Sequence, residues 1–137
     1  MDIFNSKMTE NEIQQVSTLG LAHIGDAVFE LMVRSWLCAH GKLTSKGLHS
    51  ATVRYVAAPA QAKAVLKITD KLTAEELAIY KRGRNARVNS VPHRADIAEY
   101  HAATGLETLF GWLYLLGMRE RVNELFLIIM EDSADAS

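Results

Sequence analysis

The chain holds one cysteine, Cys38, and two prolines, Pro59 and Pro92, in 137 residues. A lone cysteine excludes an intrachain disulfide, and at an apolar helical position it is expected to be a buried, inert thiol. With so few prolines, long stretches contain nothing that interrupts a helix. The formal charge is −1, from 15 basic and 16 acidic residues, so no global positive field draws the chain to nucleic acid. Polyanion binding has to come from local clustering. No apolar run is long enough to span a bilayer. The start, Met1-Asp2-Ile3-Phe4-Asn5, lacks the basic and apolar regions of a secretory signal. No membrane partner is therefore expected, and a reducing cytoplasm is the expected compartment. The five histidines are scattered, with no His/Cys spacing of a zinc site. A glycine-rich phosphate loop after a strand and a Ser/His/Asp set are also missing.

What is present is apolar periodicity of helical type, in a chain 49% hydrophobic and long enough to bury one core. No period-two alternation competes, so the expected class is all-α, one domain of about seven helices over residues 1–130, with an acidic flexible tail at 131–137. The expected helices are Thr9–Val16, Leu19–Ala39, a third from Thr44 or Ser45 to Ala57, and Ala60–Ile68 with Pro59 in its first turn. A fifth opens on the capping box Thr73-Ala74-Glu75-Glu76 and reaches Arg82, followed by Ile97–Leu116 and Arg119–Met130. The stretch from Lys81 to Arg94 holds five Lys/Arg and no acid, with glycine, asparagine, serine and proline among them, which predicts an irregular loop.

The Leu19–Ala39 segment is the one the rest is expected to be organised around. Its apolar residues Leu21, Ile24, Val28, Leu31 and Met32 recur at helical spacing, and Asp26 and Glu30 stand among them, four apart and on one side. Gly25 costs a helix about 1 kcal/mol relative to alanine and offers close approach of another helix or a ligand. In the sixth helix Glu107 is the sole acid between Gly105 and Gly111. Acids inside apolar helices are costly unless compensated. If packing brings Asp26 and Glu107 together, one takes up a proton unless a cation sits between them. Hard carboxylate oxygens suit Mg²⁺. A proton-sharing or arginine-paired structural contact is the alternative, and Glu30 is equally suited to pairing with an arginine. Lys81, Arg82, Arg84, Asn85 and Arg87 suit duplex phosphates and sugars, or form an ordinary solvated charge run.

These residues carry a family resemblance. Leu21-Ala22-His23-Ile24-Gly25-Asp26-Ala27-Val28-Phe29-Glu30 resembles the signature helix of ribonuclease III catalytic domains. Leu106-Glu107-Thr108-Leu109-Phe110-Gly111-Trp112-Leu113-Tyr114 resembles that family's second acidic helix. With no second, RNA-binding domain expected and with Lys81-Arg82-Gly83-Arg84-Asn85-Ala86 in place, the chain is similar to the Mini-III ribonucleases. The resemblance implies a ribonuclease III-like helical domain, Mg²⁺-dependent cleavage of double-stranded RNA, and a homodimer. The implied substrate is the base-paired stem of large-subunit (23S) ribosomal RNA precursor, within reach of the assembling large ribosomal subunit. It places Asp26 and Glu107 as catalytic metal ligands, with Glu30 as a weaker third. Two acids of the full-length enzymes have no counterpart, since Ala22 and Thr104 stand at their positions. Two other readings stay open: a non-catalytic RNA-binding or ribosome-associated module on the same fold, and a helical protein–protein adaptor.

Overall fold

The computed structural model describes residues 1–86 and 96–135, and it contains no strand among the described residues. Seven α-helices follow in order: α1 Glu10–Ile13, α2 Thr18–Ala39, α3 Ser45–Val56, α4 Ala58–Ile68, α5 Ala74–Arg84, α6 Ile97–Leu115 and α7 Arg119–Asp135. A 3₁₀ turn at Thr69–Lys71 joins α4 to α5. The all-α class expected from periodicity is the one found.

Helix starts are chemically marked. Thr9, Ser17, Thr44 and Thr73 each accept a backbone N–H on the side-chain oxygen, and Asp96 accepts two at the start of α6. Gly41, at φ 96°, ends α2 in a conformation that few other residues adopt.

The helix at the centre is α6, not α2. From Ala103 to Leu113 only Glu107 escapes full burial, and α6 packs against α2, α4, α5 and α7. A helix apolar all round belongs inside. Phe110 of α6 stacks on Phe29 of α2 at 5.6 Å between ring centroids, and Phe126 of α7 meets Phe29 edge-on at 5.9 Å.

The inward face of α2 also differs from the expected one. It consists of Leu21, Ala22, Gly25, Phe29, Val33 and Leu37, while Ile24, Val28 and Met32 are half-buried and Leu31 is 55% exposed. Apolar side chains cover more than one side of α2, so periodicity alone does not choose between them. Gly25 does, because only a residue without a β-carbon fits where α2 meets α6.

Other boundaries shift. Helix α5, expected to reach Arg82, continues through Gly83 and Arg84 into the expected loop, with Asn85 as its C-cap. A β-carbon on Gly83 would overlap the Thr108 hydroxyl, so this glycine serves packing on α6 rather than breaking the helix. Cationic side chains also suit a helix C-terminus. Arg87 and the rest of the expected loop up to Arg94 lie outside the described residues. Helix α7 continues past Met130 to Asp135. Cys38, expected to be buried, is exposed.

One ion pair ties α5 to α7. Arg121 donates from Nε and Nη2 to the two carboxylate oxygens of Glu76, both at 2.8 Å, and from Nη2 to the Lys71 carbonyl at 2.9 Å. Glu76 also accepts from the Thr73 backbone N–H in the expected capping box. The Arg121 hydrogen bond outweighs burial and holds the Glu76 pKa below the usual carboxylate value.

Candidate active site

Helices α2 and α6 cross backbone to backbone. A β-carbon added to Gly25 would overlap the Glu107 carbonyl and lie 2.8 Å from the Gly111 nitrogen. One added to Gly111 would overlap the Leu21 carbonyl and lie 3.0 Å from the Gly25 nitrogen. Two glycines facing each other thus set the distance between the helices. Asp26, the residue after Gly25, comes to lie beside Glu107, within hydrogen-bond reach of its carboxyl.

The surroundings of the two acids differ. Asp26 is exposed and Glu107 is half-buried. Burial is the largest influence on Glu107, followed by the charge of Asp26 and a hydrogen bond to it, and together these push its pKa up to about 8. Near neutrality, without a cation, Glu107 is therefore mainly an acid that donates its proton to Asp26. The side-chain amide of Gln61 acts in the opposite direction, and among the described residues no basic side chain acts on Glu107.

This has a consequence for stability. The folded state holds the Glu107 proton more tightly than the unfolded chain, whose ordinary value is 4.5. The stabilisation is complete below 4.5 and is lost as pH rises through about 8. Urea unfolding in EDTA is expected to show stability falling over that window, by up to about 1.4 kcal/mol per pH unit. Glu107→Gln should flatten the fall, and an equal slope in both proteins would contradict the assignment.

The other predicted residues divide. Glu30 does not join Asp26 and Glu107. Its carboxylate accepts from Arg34 Nη2 at 2.6 Å, in an exposed pair one turn along α2. The expectation of Glu30 as a weak metal ligand is corrected accordingly, because an arginine four residues on holds it. Ala22 and Thr104 are buried, and the Thr104 hydroxyl donates to the Tyr100 carbonyl at 3.0 Å. Among the described residues no third His, Cys, Asp or Glu completes a cluster around the pair.

Lys81, Arg82, Arg84 and Asn85 are all exposed at the end of α5. That end packs on α6 through Gly83, which meets Thr108, the neighbour of Glu107. Arg82 Nε donates to the Thr18 hydroxyl at 2.7 Å, Arg84 Nε donates to Asn85 Oδ1 at 3.4 Å, and the Arg84 guanidinium lies 5.7 Å from the centre of the Tyr80 ring.

The sequence reading missed Gln61. It is 2% exposed and shares the buried face of α4 with Ala64, Val65 and Ile68. Its signal was a polar residue at the first position of an i, i+3, i+4, i+7 apolar stripe.

Residues 19–118 of this all-helical chain, which include both acids, match the Ribonuclease III domain. Mini-ribonuclease 3 of Clostridium tetani is 38% identical over 125 residues, covering 90% of this chain and 83% of that protein. Mini-ribonuclease 3 of Brevibacillus brevis is 46% identical over 107 residues, covering 78% and 80%. A crystal structure of a Fusobacterium nucleatum protein superposes with a TM-score of 0.80 at 30% identity, covering 89% of this chain and 98% of that one. The chain belongs to the ribonuclease III family, in its Mini-ribonuclease 3 branch, and is an endoribonuclease of that class.

Proposed function

We propose that this endoribonuclease cleaves double-stranded RNA as a homodimer, with Mg²⁺ held by Asp26 and Glu107. We propose further that its substrate is the base-paired stem of large-subunit (23S) ribosomal RNA precursor. The observation that carries the metal reading is the juxtaposition of these two acids on glycine-paired helices. The donor set fits the ion: hard carboxyl oxygens, one of the two groups raised in pKa by burial and by its neighbour's charge, and no basic side chain among the described residues acting on Glu107. A bound Mg²⁺ supplies Lewis acidity, activating water and offsetting charge that develops on the scissile phosphate. Asp26 and Glu107 supply the negative charge that retains it, and Glu107 must release its proton to do so. Affinity for the ion should therefore rise with pH.

The basic end of α5 lies against α6 one residue from Glu107. That position supports a role for Lys81, Arg82, Arg84 and Asn85 in holding duplex phosphates and sugars near the acids. Arg87 is proposed for the same role from its sequence position. For the dimer, the supporting feature is an apolar depression beside α2, lined by Phe4, Ile24, Val28, Leu31 and Met32, of which Phe4 is 74% exposed. The ribosomal substrate, and any contact with the assembling large subunit, rest on the resemblance to Mini-III ribonucleases. A cytoplasmic location follows from that substrate, and no helix among the described residues is long and apolar enough to cross a membrane.

The test is incubation of the purified protein with a long RNA duplex in Mg²⁺ or in EDTA. Cleavage in Mg²⁺ alone is expected. Binding without cleavage in either would favour the non-catalytic RNA-binding module, and no binding at low salt would favour the adaptor. Replacing Arg82 and Arg84 together by alanine should lower the salt slope of duplex binding by about 1 for each lost phosphate contact. An unchanged slope would remove these residues from the interface.

A further inference from the structure

Gln61 stands out among the buried polar groups because of where it is. It sits on the buried face of α4, 2% exposed, and among the described residues its Nε2 makes no well-formed hydrogen bond. A buried amide donor without an acceptor is rare in a folded protein and calls for a specific explanation. The polar group on which the Gln61 side chain acts is the Glu107 carboxyl, where it favours the charged form. The neighbours of Gln61 along its own stripe, Ala64, Val65 and Ile68, are apolar and offer it nothing.

We propose that Gln61 is a positioning residue of the catalytic centre: its buried amide lies beside the Glu107 side chain and orients the Glu107 carboxyl toward the metal it shares with Asp26. The inference rests on the metal reading of Asp26 and Glu107. A Glu107 carboxylate that turned one oxygen to the ion shared with Asp26 would leave the other as a strong acceptor for the Gln61 amide within a buried surround. A neutral donor suits this place better than lysine or arginine would. It fixes the carboxylate rotamer and offsets part of the burial cost, yet leaves intact the negative charge that retains a divalent ion. Outer partners of this kind typically alter metal affinity or activity by about 10- to 100-fold when removed.

The experiment uses Gln61→Met, which conserves unbranched volume and removes the donor, with Gln61→Leu as a second variant. Mn²⁺ alone is titrated into the RNA-free protein and followed by electron paramagnetic resonance, with Asp26→Asn as reference. The expected result is a roughly 10-fold or larger loss of Mn²⁺ affinity in both Gln61 variants. Thermal unfolding without metal should be unchanged or raised, because an unpaired buried donor has been removed. In duplex cleavage kcat should fall while KM for RNA stays the same. Wild-type Mn²⁺ affinity and kcat in Gln61→Met would overturn the proposal while leaving the metal reading intact. A loss of metal-free stability with unchanged Mn²⁺ affinity would assign Gln61 a packing role only and overturn it too. If the wild-type protein binds no Mn²⁺ that Asp26→Asn abolishes, the metal reading itself fails and the proposal goes with it.

Discussion

Asp26→Asn is expected to lower single-turnover cleavage of a long RNA duplex in Mg²⁺ by at least about 10³-fold, equivalent to some 4 kcal/mol of lost transition-state stabilisation. The substitution keeps shape and removes one negative oxygen. Since Asp26 is exposed, no core packing is disturbed. Near neutrality Glu107 holds its proton, and the Asn amide oxygen can still accept it, so the variant should fold about as stably as the original chain. Duplex affinity in EDTA should also persist, because the proposed phosphate contacts come from the end of α5. The separation is therefore clean: chemistry lost, fold and binding kept. Undiminished cleavage by the purified variant would remove the assigned role of Asp26, and loss of binding in parallel would place the RNA interface elsewhere.

The second large effect is expected from Gly25→Ala. Placed in a helix free of neighbours, this change would stabilise by about 1 kcal/mol. Here the new methyl group would overlap the Glu107 carbonyl oxygen, and behind it stands the Gly111 nitrogen at 2.8 Å. Neither is the tip of a flexible side chain, so α2 and α6 have to move apart. Overpacking typically costs about 1–3 kcal/mol, and a backbone obstacle puts this case at the upper end or beyond. A melting temperature lower by around 10 °C is the expected reading in circular dichroism. Activity should fall further than stability, because separating the helices also separates Asp26 from Glu107. A variant as stable as the original chain would show that the two helices do not meet at this glycine.

Much of the site was legible in the sequence because its chemistry is local. An acid following a glycine in one apolar helix, and a second acid between two glycines in another, identify both carboxylates and the means of bringing them together. The helix starts were legible for a similar reason, since Thr44 and Thr73 are caps whose partners lie within three residues. Glu30 was not resolved by the same reasoning. Its spacing from Asp26 fits a shared site, and its spacing from Arg34 fits an ion pair equally well. Only the coordinates show the second to be realised.

By itself the sequence determined the all-α class, the places where helices begin, the pairing of Asp26 with Glu107 as a candidate, and the basic character of the segment from Lys81 onward. These follow from side-chain periodicity and from contacts a few residues apart. Tertiary structure decided which helix lies at the centre, which face of α2 turns inward, that Gly83 packs rather than breaks a helix, and that Gln61 reaches Glu107. Each of those depends on fitting surfaces from distant parts of the chain, where a single missing β-carbon outweighs the local preference.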